Sequence, residues 1–303
     1  MTTRRHLLVG WLAVALLTAC GTPAPTATPT ASPSGPDFTT PGTAASMVRQ
    51  LLEAAGNQNL LMVEITEETV EVSVLDTGHK PVTWAYRDGE IGEVASDLQY
   101  VDQATFSLSR FNISDVGALF RAAQGQSGSA EKQSLTIVDY SGGEVMMSVS
   151  TVPESRTVFF TPDGALLPVL SFDTPGGIAA GIADAVGTRA LVHSVTVDSQ
   201  QGAWVEYPGT SGTTVRRTRT AKVPVTTNVT AKEMDLPLFF ATKVRPEAVW
   251  AVVDDVRGSG DVPAEASWSV VIDDREGLGV PRMYFSIGST VLVTDAAGSV
   301  ISR

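Results

Sequence analysis

Cysteine is all but missing from this chain of 303 residues: Cys20 is the only one. A lone thiol excludes an intramolecular disulfide and leaves no cysteine set for a structural zinc site. Histidine is scarce too, with His6, His79 and His193 the full complement. A zinc centre or a histidine-activated nucleophile would have to be assembled from these few imidazoles and carboxylates. Positive charge is the third shortage. Twenty-one basic residues stand against 33 acidic ones, a net charge of −12. Such a surface repels nucleic acid and anionic head groups, so neither is expected as a partner by bulk electrostatics.

What the chain does have begins at its N-terminus. Arg4 and Arg5 precede an apolar run of 13 residues from Leu7 to Ala19, which closes on Leu17-Thr18-Ala19-Cys20. A charged start, a short apolar middle and small residues at the end mark a secretory signal. The run is too short to cross a bilayer as a helix, which takes about 20 residues. The segment resembles a bacterial lipoprotein signal, whose lipobox reads Leu, two small residues and Cys. The resemblance implies a diacylglyceryl group on Cys20 and removal of residues 1–19. The mature chain would then be anchored on the extracytoplasmic face of the cell membrane, two acyl chains sufficing for stable anchoring. Thr3-Arg4-Arg5-His6-Leu7-Leu8 also resembles a twin-arginine export signal, without the lysine that often follows, and the strongly apolar run favours general secretion.

Without residues 1–19 the chain carries 19 basic and 33 acidic residues, a net charge of −14. Residues 21–43 are dominated by Pro, Thr, Ala and Ser with one aromatic, Phe38. This composition cannot bury enough apolar surface to offset chain entropy, so 20–43 is expected to be an extended linker. At about 3.1 Å per residue it would reach roughly 70 Å. Arginine outnumbers lysine 16 to 5 amid abundant Ala, Gly and Val. In this respect, and over its whole length, the chain resembles actinobacterial secreted lipoproteins. The resemblance is specific only at the lipobox and brings no catalytic residues.

Beyond the linker, one order of elements recurs at an offset of about 131 to 134 residues. A helical pattern at Met47, Val48, Leu51 and Leu52 ends at Gly56, and Ile178, Ile182 and Val186 precede Gly187 in the same way. Strands are expected at 61–66, 70–75 and 82–86 in the first unit, and at 191–197, 203–207 and 213–220 in the second. Second helices follow, one capped by Ser114 and Asp115, the other opened by Pro246. Further strands at 135–140, 145–149 and 158–161 are matched by 268–272, 283–287 and 291–294. Short alternating strands joined by Gly and Asp turns favour antiparallel sheets. The expected fold is α+β, with two tandem, duplicated domains at 44–170 and 171–303, each holding two helices and an antiparallel sheet.

Few residues point to chemistry. His79 lies in an expected hairpin loop and His193 within a strand. Ser129-Ala130-Glu131-Lys132 matches the Ser-x-x-Lys pattern of penicillin-recognising enzymes, but it sits in a polar loop without the companion motifs. Arg275 breaks the alternation of acids that a calcium loop needs at Asp273-Asp274 with Glu276, and Asp254-Asp255 ends an expected helix, so both clusters read as solvated charge. Arg216, Arg217 and Arg219 form the one basic run in an acidic protein. A charged edge strand is the plain explanation, and contact with an acidic partner or a wall polymer the functional one. Trp84, Tyr86, Trp204, Trp250 and Trp268 occupy positions usual for a core.

These features favour a lipid-anchored surface protein presenting two non-catalytic binding or assembly modules. No catalytic residue, metal or cofactor is assigned. The partners expected are the membrane, through lipid on Cys20, and a protein or wall polymer at Arg216, Arg217 and Arg219. Two alternatives stay open: a carrier or sensor of an apolar or lipid ligand, and a wall-associated enzyme without a recognisable motif.

Overall fold

The computed structural model describes residues 35–100, 102–151 and 156–302. Cys20, the signal segment and the linker up to residue 34 lie outside the described residues. Residues 35–303 form one compact unit, mixed α+β and mostly sheet.

The first half opens with helix α1 (Thr43–Ala54), whose Ala44, Val48 and Leu51 are buried. Gly56, at φ +78°, turns the chain out of it, a left-handed conformation that costs glycine nothing. Four strands follow: β1 (Leu60–Ile65), β2 (Val70–Leu75), β3 (Pro81–Arg87) and β4 (Glu90–Val94). Helix α2 (Val116–Ser127) is capped by Asp115, whose carboxylate accepts the Ala118 N–H at 2.8 Å. The chain then returns beside β1 as β5 (Ser134–Ser141), β6 (Glu144–Ser150) and β7 (Val158–Phe160). The resulting antiparallel sheet has the order β4-β3-β2-β1-β5-β6-β7.

Helix α3 (Pro175–Val186) opens the second half, capped by the Thr174 hydroxyl, which accepts the Gly177 N–H at 3.1 Å. Its glycines reflect close packing. A Cβ at Gly177 would stand 1.9 Å from the Ser171 carbonyl oxygen, and one at Gly181 2.4 Å from the Phe172 ring. The strand expected over 191–197 is interrupted at His193, giving β8 (Leu191–Val192) and β9 (Ser194–Asp198). The break arises because the His193 N–H is drawn to the Glu206 carbonyl at 2.7 Å, outside the regular ladder. Then come β10 (Gly202–Pro208), β11 (Thr214–Arg219), β12 (Thr226–Thr230), β13 (Phe239–Phe240) and helix α4 (Pro246–Gly258). The chain closes with β14 (Trp268–Asp273), β15 (Arg282–Ile287), β16 (Thr290–Thr294) and β17 (Val300–Ser302). The second sheet runs β12-β11-β10-β9-β14-β15-β16-β17, and β8 pairs with β13 as a separate ribbon. The polar strand β12 and the short β13 and β17 have no apolar alternation to announce them.

In both halves the first helix packs on the second and third strands, and the second helix on a strand of the returning meander. Each helix layer shares its own core with one sheet face. Phe38, Val63, Ile137 and Phe160 lie in the first core, and Val195, Ile272, Phe285 and Trp268 in the second. Fully burying such a side chain contributes about 1.5–3 kcal/mol. Phe38 is fully buried, and its ring meets Tyr86 edge-on at 5.5 Å between centroids. The fold therefore takes in residues that composition alone places in the linker.

The halves meet along the β5–β6 hairpin. The Ser141 hydroxyl donates to the Thr227 carbonyl at 3.1 Å and accepts the Thr227 N–H at 2.8 Å. Arg217 forms an ion pair with Glu144, and the Leu170 N–H donates to the Ala221 carbonyl at 2.9 Å.

Candidate functional site

The three arginines of β11 have three different surroundings. Strand β12 covers β11, so the charged edge expected there is not an edge. Side chains alternate, and the cross-strand pairs Ala203–Arg219 and Val205–Arg217 put both arginines on the helix-bearing face. Arg219 is 1 % exposed. Its Nε donates to Asp184 Oδ2 at 3.0 Å, Nη2 to the Pro168 carbonyl at 2.7 Å and Nη1 to the Val223 carbonyl at 2.7 Å and to the Thr220 carbonyl. One guanidinium thus ties β11 to α3, to the segment joining the halves and to its own following loop. Arg217 donates through Nε to the Ala185 carbonyl at 3.1 Å, where a cation suits the carbonyl end of α3, and it reaches across to Glu144. Both are committed inside the molecule.

Arg216 alone faces out on the helix-free side, its side chain half exposed. Glu206 Oε1 holds Nε at 3.1 Å and Nη2 at 2.8 Å, and the guanidinium lies 5.6 Å from the centre of the Trp204 ring. The other Glu206 oxygen accepts from the Ser194 hydroxyl at 2.8 Å. Trp204 therefore lies outside the core assigned to it, on the open face, whereas Trp268 is buried and Trp84, Tyr86 and Trp250 pack against the two cores.

A second arginine–aromatic pair stands across β9 and β14. Asp273 is buried and grips Arg275 with both oxygens, at 2.8 and 2.6 Å, while the Arg275 guanidinium rests 3.8 Å from the centre of the Tyr284 ring. Hydrogen bonding to Asp273 raises the Arg275 pKa, and burial, followed by the Glu276 charge, raises that of Tyr284. Asp274 is buried too, its carboxylate accepting the Leu278 and Gly279 N–H groups at 2.8 Å each. Asp273 and Asp274 therefore close a loop from within, in place of the solvated charge expected there. Asp254 and Asp255 are exposed, as is His79. Ser129 and Lys132 lie in the loop after α2, so this serine does not open a helix. Among the described residues no group of three or more His, Cys, Asp or Glu is placed to hold a metal.

The feature that sequence reasoning missed lies at the β8–β13 ribbon. Cross-strand partners Leu191 and Phe240, with Leu238 just before, are 42 %, 58 % and 42 % exposed. Beside them a surface hollow of about 620 Å³ is bounded by His193 and residues 233–238. His193 is 95 % buried, its Nδ1 2.6 Å from the Leu236 carbonyl oxygen. Its Nε2 is buried with no partner in the chain. The signal in the sequence is Glu233-Met234-Asp235-Leu236-Pro237-Leu238, where acids alternate with large apolar residues between two strands.

No protein-family model matches the chain, and no curated protein matches it either.

Proposed function

We propose that the chain is a membrane-anchored extracytoplasmic lipoprotein, held by lipid on Cys20, whose folded part presents non-catalytic binding or assembly modules. The observation that carries the binding role is the cluster of Leu191, Leu238 and Phe240, exposed together beside the hollow at His193. Contiguous apolar surface of this kind marks an interaction site. The lipobox and the Pro/Thr-rich segment after it support anchoring at a distance from the membrane. Of the arginine run, only Arg216 is turned outward, so the reading keeps it as a contact for an acidic protein or wall polymer.

The modules are proposed to be tandem duplicates. Supporting this are the same strand order over seven positions of each sheet, a helix before the first strand in each half, and a second helix before the strand that returns to the sheet centre.

Two experiments test the reading. Replacing Cys20 by Ser should release the protein from the membrane fraction and remove the lipid mass; an unchanged fraction and mass would refute anchoring. Crosslinking on intact cells should give a discrete partner adduct that is lost in Leu238→Ser/Phe240→Ser. An adduct indifferent to that double change would refute the binding face. Lipid co-purifying at near-stoichiometric amounts, seen by native mass spectrometry, would make the carrier the better reading.

A further inference from the structure

Exposed charge along the β8–β13 ribbon is sorted by sign. The two strands run antiparallel, with Phe240 opposite Leu191 and Phe239 opposite Val192. Lys243 and Arg245 follow Phe240, and both are exposed. Beyond Phe240 the pairing continues, the Ala241 N–H donating to the Ala190 carbonyl at 2.9 Å. Exposed Arg189, one residue before Ala190, therefore stands at the Lys243 end of the ribbon. The opposite end of β8 is His193, and its Nδ1 lies 2.6 Å from the Leu236 carbonyl oxygen. That contact fixes the segment carrying exposed Glu233 and Asp235 at the end away from Arg189. The ribbon is thus a strip with acids at one end, exposed Leu191, Leu238 and Phe240 in the middle, and cations at the other. Lys232 and Glu247 are exceptions, and neither reverses the sign of its end. None of the five sorted charges forms an ion pair among the described residues, whereas Glu71, Glu144, Glu206, Asp273 and Glu276 each hold an arginine.

From this order we infer that the ribbon is the interface between two copies of this chain, related by a two-fold axis through its apolar middle. A two-fold contact sets the same patch against itself in reverse. Reversal places Glu233 and Asp235 of each copy against Arg189, Lys243 and Arg245 of the other, and brings the apolar residues of both together. Every unpaired charge of the strip then meets its opposite. An acidic partner would meet like charge at Glu233 and Asp235, and a basic one at the three cations; like charges brought together at an interface are costly. An anionic bilayer is disfavoured by the same two acids. A second copy is the occupant that gains at both ends. The inference rests on the proposed binding face and names its partner, which makes the modules assembly modules.

The test is a charge swap, read by analytical ultracentrifugation of the chain from residue 20 onward carrying Cys20→Ser. This chain should show a reversible monomer–dimer equilibrium. Glu233→Lys/Asp235→Lys makes both ends of the strip basic, and Lys243→Glu/Arg245→Glu makes both acidic. Each double variant alone should dimerise at least tenfold more weakly than the parent, because like charges then meet at both junctions. Mixed together, the two variants should pair with each other at least tenfold more tightly than either pairs with itself. All four positions are exposed and their side chains make no hydrogen bond among the described residues, so the changes spare the fold. Recovery in the mixture also separates charge from misfolding, since a misfolded variant would not regain a partner. A parent chain that stays monomeric, a dimer indifferent to both swaps, or a mixture no tighter than its components each overturns the inference. If the chain is monomeric while the Leu238- and Phe240-dependent crosslink joins it to a different protein, the second copy is the wrong partner and the binding face stands.

Discussion

The third strands of the two sheets hold equivalent places, yet their helix-facing sides are built from opposite chemistry. In β3 that side carries Trp84 and Tyr86, opposite Val72 and Val70. In β11 it carries Arg217 and Arg219, opposite Val205 and Ala203. The aromatics join an apolar core together with Phe38. The arginines face the carbonyl end of α3, the segment joining the halves and Glu144. The second half therefore uses charge where it must hold a junction rather than fill a core. A buried ion is tolerable when every donor finds an acceptor, and the Arg219 contacts come close to that.

The sharpest way to break this contrast is Arg219→Ala. It leaves Asp184 and three carbonyls without their donor, and should cost about 4 kcal/mol by urea denaturation. A loss below about 1 kcal/mol would mean that the buried guanidinium does not hold this junction. Phe38→Ala probes the opposite chemistry and should cost about 3 kcal/mol by removing a fully buried ring. A neutral result would return residues 35–43 to the linker. Arg217→Gln should cost about 1.5 kcal/mol and separate the thermal transitions of the two halves in calorimetry, since it cuts the Glu144 contact. Arg216→Ala should change stability by less than about 0.5 kcal/mol, because its ion pair is half exposed.

The smallest expected effect compares two tight turns. Asp163 stands one residue before Gly164 and Asp295 three residues before Gly298 in two similar Gly turns, and both have lowered pKa values. The first donor differs: the Thr161 hydroxyl for Asp163, the Ser299 backbone N–H for Asp295. A lowered folded pKa stabilises the fold above the ordinary aspartate value, and this is lost as pH falls through the folded pKa. Carboxyl NMR titration should place both midpoints below the ordinary aspartate range. A normal midpoint at either would dissolve the likeness between the turns.

The helices and most strands could be read directly, because apolar spacing, caps and turn residues are local signals. Asp115 before α2 and Thr174 before α3 are such signals, and Gly56 marks a helix end. Strand β12 could not be read, since Thr226–Thr230 has no apolar face of its own and is placed by pairing with β11. The arginine run shows the same limit. Its alternation was legible, but burial depends on α3, Pro168 and Glu144, which lie 32 to 73 residues away. The His193 hollow was hidden for the same reason, as its wall joins a strand break to a segment 40 residues later.

Phe38 also decides where mechanical load enters the molecule. A pull on the N-terminal segment is taken up first by its buried ring and by the 3.0 Å bond from its N–H to the Glu67 carbonyl. Glu67 lies in the turn between β1 and β2, and β1 is the central strand of the first sheet, clamped by β2 and β5. Tension is thus delivered to the best-braced point of the first half.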